Sequence, residues 1–166
     1  MRETRTTHSN KIPDVIKGSI YVVRDDVDAE QLLVAFSREG HPPGRFPLVV
    51  AGKRFGCGDA HERDSAALQE AGVLAVIAES FAQAFYHSSV HGGRLILCET
   101  QRERLCEAIT TGMEGELILA NSEKPTLYVA ALKTSWALGS VAEILPTLQA
   151  GALFARARER GFINTA

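Results

Sequence analysis

A strand, a glycine-rich turn, a helix and a second strand follow one another without spare residues, and that succession limits the fold more than any other feature. Residues 47–51 (Pro-Leu-Val-Val-Ala) form a short apolar run of the kind that is buried on both faces of a sheet. Gly52, Gly56 and Gly58 punctuate a polar loop, and a helical pattern opens by Asp64 and closes at Gly72. Residues 73–78 (Val-Leu-Ala-Val-Ile-Ala) are a second buried strand. Strand, helix and strand on short connections make a βαβ unit, whose strands run parallel. Ser80 and Gln83 have capping-box spacing for a further helix that carries Phe81, Ala84, Phe85 and Val90 on its apolar face. Residues 94–98 (Arg-Leu-Ile-Leu-Cys) follow as a third strand, so a parallel βαβαβ core is expected from Pro47 to Cys98.

The turn between the first strand and its helix is also the chemical centre of the sequence. Glycines let the backbone approach a ligand, and the first N–H groups of a helix lack intrahelical partners, so such a turn is a ready anion cradle. Lys53, Arg54, Asp59, His61, Glu62, Arg63 and Asp64 crowd onto it, more charge than a connection needs.

Around this core the chain reads as α/β. Residues 1–14 are polar and unpatterned, a flexible N-terminal arm; residues 15–166 read as one domain. Residues 18–23 are β-rich. A short helix runs from Asp28 through Leu32, Leu33, Ala35 and Phe36 and stops at Gly40 and Pro42-Pro43-Gly44. Residues 101–110 are amphipathic, 116–120 and 126–131 read as an added β-hairpin, and 141–149 and 153–160 as closing helices.

The 166 residues suit one domain with a real core, and a formal net charge of −2 implies no basic face for nucleic acid. No apolar run approaches the roughly 20 residues of a membrane span, and no signal-peptide segment is evident. Cys57, Cys98 and Cys106, an odd number without a C-x-x-C pair, favour a reducing, cytoplasmic setting and no disulfide framework. Three thiols also fall short of a four-thiolate cluster set.

The run Val-Ala-Gly-Lys-Arg-Phe-Gly-Cys-Gly over 50–58, with Ala-Val-Ile-Ala-Glu-Ser-Phe-Ala over 75–82, resembles the small subunit of isopropylmalate dehydratase, the swivelling domain of the aconitase superfamily. Residues 24–30 sit where that family has an Asp-x-Asp-Thr-Asp-like element, and Ala-Gly-Ala-Leu over 150–153 is similar to its closing turn. The resemblance spans about 18–161 and implies a swivelling β/β/α domain. It further implies a half-enzyme, the small subunit of a hydro-lyase or isomerase for a hydroxy di- or tricarboxylate. In the family a large subunit holds the [4Fe–4S] cluster and the small one closes over it, so this chain would bind no cofactor or metal itself and would work as a heterodimer.

The family's Gly-Ser-Ser-Arg-Glu-His turn supplies a serine base and an arginine for substrate carboxylate. Here, in ungapped register, the serines are Asp59 and Ala60, the arginine is His61, glutamate remains as Glu62, and the histidine is Arg63; the third aspartate of the earlier element is Glu30. The serine mechanism does not carry over. Asp59 reads as a carboxylate base in the serine's place or as a helix N-cap completed by Glu62. His61 reads as an assisting acid or carboxylate ligand, or as a solvent-facing loop histidine. Arg63 reads as a bidentate carboxylate clamp or as an exposed ion pair with Glu62 or Asp64. Arg54, Gly58 and Glu30 complete the substrate-binding candidates. Cys57 is expected to be buried filler, and His87 with His91, four apart, a surface pair rather than a metal site. The segment 32–41 is expected to be the loop that meets the substrate's side group. Two other classes stay open: a non-catalytic swivel-domain homologue that binds or regulates a partner, and a free-standing enzyme using Asp59 and His61.

Overall fold

The computed structural model describes residues 15–58, 61–92, 95–100, 104–119, 123–139 and 163–164, with the side chains of 61–63, 91–92 and 163–164 excluded. The expected N-terminal arm (1–14) and both closing helices (141–149 and 153–160) lie outside the described residues.

β1 (Val15–Val22) leads through an acidic segment to α1 (Ala29–Arg38), then to β2 (Leu48–Ala51), α2 (His61–Glu70), β3 (Ala75–Ala78), α3 (Gln83–Gly92) and β4 (Ile96–Glu99). β2, β3 and β4 pair in parallel, Leu48 opposite Ala75 and Ala75 opposite Ile96, and form the expected βαβαβ core. β1 extends it: its second half pairs parallel with β2, while its first half pairs antiparallel with β5 (Glu114–Ile118). β5 and β6 (Thr126–Val129) form the expected hairpin, and β7 (Thr134–Ala137), which the sequence reading did not separate, continues it. β8 (Ile163–Asn164) pairs with β1. The sheet order is β4-β3-β2-β1-β5-β6-β7, and the sheet curls until its ends meet. Thr100 bridges Leu138, and the Gly139 N–H donates to the Glu99 carbonyl at 2.8 Å.

Period-2 alternation distributes the core between two faces. Leu48, Val50, Ala75, Ile77, Ile96 and Cys98 point inside the curl with Ile16, Ile20, Leu117 and Leu127, and Leu105, Cys106 and Ile109 join them from the region of α4 (Leu105–Ala108). Val49, Ala51, Val76, Ala78, Leu95 and Leu97 face outward and pack with Leu32, Leu68 and Phe85 of the covering helices. Each fully buried Leu, Ile or Phe contributes about 1.5–3 kcal/mol of hydrophobic stabilisation.

α1 starts as expected. Asp28 Oδ1 accepts the Gln31 N–H at 2.7 Å, and Gln31 Oε1 accepts the Asp28 N–H at 2.9 Å, a complete capping box. α2 (His61–Glu70) is in place by Asp64, as expected. Within 101–110 the described residues include the single turn of α4. Two local expectations are corrected. In the segment 32–41 Leu32 and Phe36 are buried, so those side chains pack on the core instead of meeting a substrate. α3 opens at Gln83, leaving Ser80 outside it and Ala84 exposed.

Candidate functional site

The carboxyl ends of β1, β2 and β3 lie side by side, and open α/β sheets bind ligands at such ends. The segments that leave them are sewn together. Gly52 N–H donates to Arg24 O at 3.2 Å, Asp26 N–H to Lys53 O at 2.8 Å, and Gly56 N–H to Val27 O at 2.9 Å. On the other side Glu79 N–H reaches Gly52 O at 3.1 Å, and Phe55 N–H reaches Ser80 O at 3.1 Å. Ser80 Oγ, freed from a capping role, accepts the Arg54 N–H at 3.0 Å, and Asp25 Oδ1 accepts the Lys53 N–H at 2.8 Å. The N–H groups from Gly52 to Gly56 are therefore engaged within the protein. The anion-cradle expectation is corrected for residues 52–56, whose N–H groups are taken.

Glycine is required here by contact. At Gly56, where φ is +89°, a β-carbon would lie 2.3 Å from Phe85 Cγ. Phe85 is fully buried, edge-on to Phe55 at 5.4 Å.

Asp59 lies outside the described residues; His61 and Arg63 open α2, with their side chains outside the described set. Gly58 is half-buried against Asp28. Arg54 is exposed, takes a left-handed backbone (φ 57°), and its Nε donates to Asp26 Oδ1 at 2.6 Å. Asp26 is left-handed too (φ 58°), so two non-glycine residues in a sparsely populated conformation face each other across the sewn segments. The structure thus brings Arg54 and Gly58 together with the acidic segment. Glu30 is exposed in the first turn of α1 and lines a separate shallow cavity of about 340 Å³ with Gln31, Val34 and Arg38. A larger cavity, about 480 Å³, lies between α3 and β4 and includes Phe81, Gln83, His87 and Glu99.

The thiols do not gather. Cys57 is exposed on the turn, which corrects the expectation of a buried filler, whereas Cys98 and Cys106 are buried in the core. Burial alone pushes the Cys98 thiol up to about 12. Among the described residues no three His, Cys, Asp or Glu side chains are grouped to hold a metal. Cys57 on the surface and Cys98 and Cys106 in the core do not form the thiolate set of an iron–sulfur cluster. His87 is exposed, and the side chain of His91 lies outside the described residues. No helix among the described residues is long and apolar enough to cross a membrane.

Asp25, Glu79 and Arg104 were not singled out by sequence reasoning. Asp25 stands inside the acidic element, but Arg104 lies 79 residues away with no motif around it, and only the fold joins them. The backbone N–H of Lys53, and next the Arg104 guanidinium, hold the Asp25 carboxyl below the usual carboxylate range.

A family model described as the aconitase C-terminal domain matches residues 17–102 of the 166. The chain is 26% identical to 3-isopropylmalate dehydratase small subunit 1 of Arabidopsis thaliana, over 98% of this chain and 76% of that protein. It is 32% identical to the isopropylmalate/citramalate isomerase small subunit of Methanocaldococcus jannaschii, over 66% of this chain and 74% of that one. A crystal structure of 3-isopropylmalate dehydratase from the same archaeon shares the fold, with a TM-score of 0.63 at 23% identity, covering 88% of this chain and 96% of that chain. With a sewn glycine turn at the strand ends, a matched family model and relatives along nearly its whole length, this chain belongs to the aconitase C-terminal domain family, among the small subunits of the 3-isopropylmalate dehydratase type.

Proposed function

We propose that this chain is the small subunit of an aconitase-type hydro-lyase or isomerase, and that it acts on a hydroxy di- or tricarboxylate only with a large subunit. The [4Fe–4S] cluster, which supplies Lewis-acid chemistry at the substrate hydroxyl, belongs in this reading to the large subunit, because the thiols here are scattered between core and surface. The observation that carries the proposal is the glycine turn held by the acidic segment at the carboxyl ends of parallel strands, in a chain of this family.

Within that assembly Asp59 takes the proton next to the substrate carboxylate. A carboxylate does this work when closure over the site removes water and raises its pKa. Arg63 clamps a substrate carboxylate, His61 assists one of the two, and Arg54, Gly58 and Glu30 line the approach. The replacement of the family's Ser-Ser-Arg by Asp-Ala-His favours a second reading, a non-catalytic homologue that binds or regulates a partner.

Asp59→Asn separates them once the chain is reconstituted with a cluster-bearing large subunit. Asn caps a helix about as well as Asp but cannot take a proton, so turnover is expected to fall by about 10²–10⁴ while assembly is unchanged. Near wild-type turnover would remove Asp59 as the base. Absence of turnover in the wild-type complex on any hydroxy di- or tricarboxylate, with assembly intact, favours the regulatory reading.

A further inference from the structure

Three carboxylates meet one guanidinium where the parallel strands end. Asp25 lies just beyond β1, Glu79 just beyond β3, and Arg104 just before α4. β1 and β3 flank β2, which leads into the glycine turn. Arg104 Nη2 donates to Asp25 Oδ1 at 2.9 Å and Nη1 to Asp25 Oδ2 at 3.3 Å, a two-pronged grip. Arg104 Nε lies 3.1 Å from Glu79 Oε2 and 3.2 Å from Glu107 Oε2. These last two are ion pairs by distance, since the Nε–H is not aligned on either oxygen as a hydrogen bond.

Asp25 passes the grip onward. The Oδ1 held by Arg104 also accepts the Lys53 N–H. Gly52 leaves room for it, because a β-carbon there would fall 2.1 Å from that oxygen. One guanidinium therefore ties the end of β1 to the end of β3 across β2 and fixes the first residue of the turn after Gly52. It also offsets part of the negative charge that Asp25, Glu79 and Glu107 gather at the strand ends. Already engaged by Asp25, Glu79 and Glu107, and donating from Nη2 to Cys106 Sγ at 3.4 Å, it is not itself placed to clamp substrate.

We propose that Arg104 is a positioning residue for the glycine turn: it staples the strand ends through Asp25 and Glu79 and cancels charge that would repel a carboxylate substrate. Its effect on substrate rests on the small-subunit reading above; the staple does not.

The staple is tested on the full chain alone. In Arg104→Met the Lys53 amide is expected to exchange with solvent about 10-fold faster or more, while amides of β2 and β3 keep their protection. The Asp25 carboxyl, followed by NMR, titrates higher than in the wild type. Arg104→Lys keeps the charge and loses the fork, so Lys53 exchange stays fast while the Asp25 titration moves back toward wild type. Should Arg104→Met fail to fold, Asp25→Ala removes the acceptor from the other side and is expected to free the same amide. Unchanged Lys53 exchange in a folded Arg104→Met or Asp25→Ala chain overturns the staple.

In the complex with the large subunit, Arg104→Met is expected to raise KM about 10-fold with a smaller change in kcat, and Arg104→Lys to restore most of the KM. An unmoved KM overturns the charge role. A wild-type complex without turnover overturns the small-subunit reading alone, because the exchange experiment decides the staple without it.

Discussion

Gly58 backs directly onto Asp28: a β-carbon at Gly58 would lie 2.9 Å from Asp28 Oδ2, the second oxygen of the carboxylate that caps α1. The glycine turn and the start of α1 therefore form one unit, although 30 residues separate them in the chain. Removing the carboxylate affects both. Asp28→Ala is expected to cost about 1 kcal/mol through the lost cap, and Asp28→Asn to restore most of it. Urea unfolding of the three chains measures this, and equal midpoints for Ala and wild type would show that the cap contributes nothing.

Gly56 and Gly112 both have positive φ, yet they should respond differently to alanine. At Gly112 nothing lies within 4 Å of the added β-carbon, so Gly112→Ala is expected to cost only the left-handed backbone, about 1–2 kcal/mol. At Gly56 the added carbon meets the Phe85 ring at 2.3 Å, and overpacking adds about 1–3 kcal/mol to the same backbone cost. A smaller loss at Gly56 than at Gly112 in thermal unfolding would contradict the packing of Phe85 beneath the turn.

Thiol labelling should resolve the three cysteines by environment. At pH 8 Cys57, exposed on the turn, is expected to react at once, while Cys98, with its pKa near 12, and Cys106, also buried, wait for unfolding. Cys57→Ser should remove the fast phase entirely. Two fast thiols in the native chain would mean that the inside of the curled sheet is open to reagent.

Acid should release the Asp25 grip in a defined window. Folding lowers the Asp25 pKa below its ordinary value of 3.8 through the Lys53 N–H first and Arg104 second. A carboxyl depressed in this way contributes stability that is fully present above its unfolded pKa and lost as pH falls through the folded one. Lys53 protection attributable to this contact should therefore be intact at pH 5 and decline only below about pH 4. A decline already complete at pH 5 would show that Asp25 is not held as described.

The βαβαβ core was legible because fully buried parallel strands must be continuously apolar, as Val-Val-Ala before Gly52 and Ala-Val-Ile-Ala before Glu79 are. The α1 cap was legible because a capping box is local in sequence. Errors fell where a local pattern had two uses. Ser80 has capping spacing, but the Arg54 N–H takes its hydroxyl, and the helix begins three residues later. Phe36 in a segment of polar and apolar residues looked available to a ligand, but Tyr21 packs edge-on to it at 4.9 Å and Phe46 stacks on it at 5.8 Å.

By itself the sequence determined the parallel order of the central strands, the glycine turn that follows β2 and the resemblance to the small subunits, because apolar period, glycine spacing and motif are properties of neighbouring residues. Tertiary structure alone decided that β1 joins parallel and antiparallel halves in one curled sheet, that Cys57 faces solvent, and that Asp25, Glu79 and Arg104 converge. Those outcomes depend on which segments the folded chain brings side by side, and pairing over such separations is set by the packing of the whole sheet, not by any local pattern.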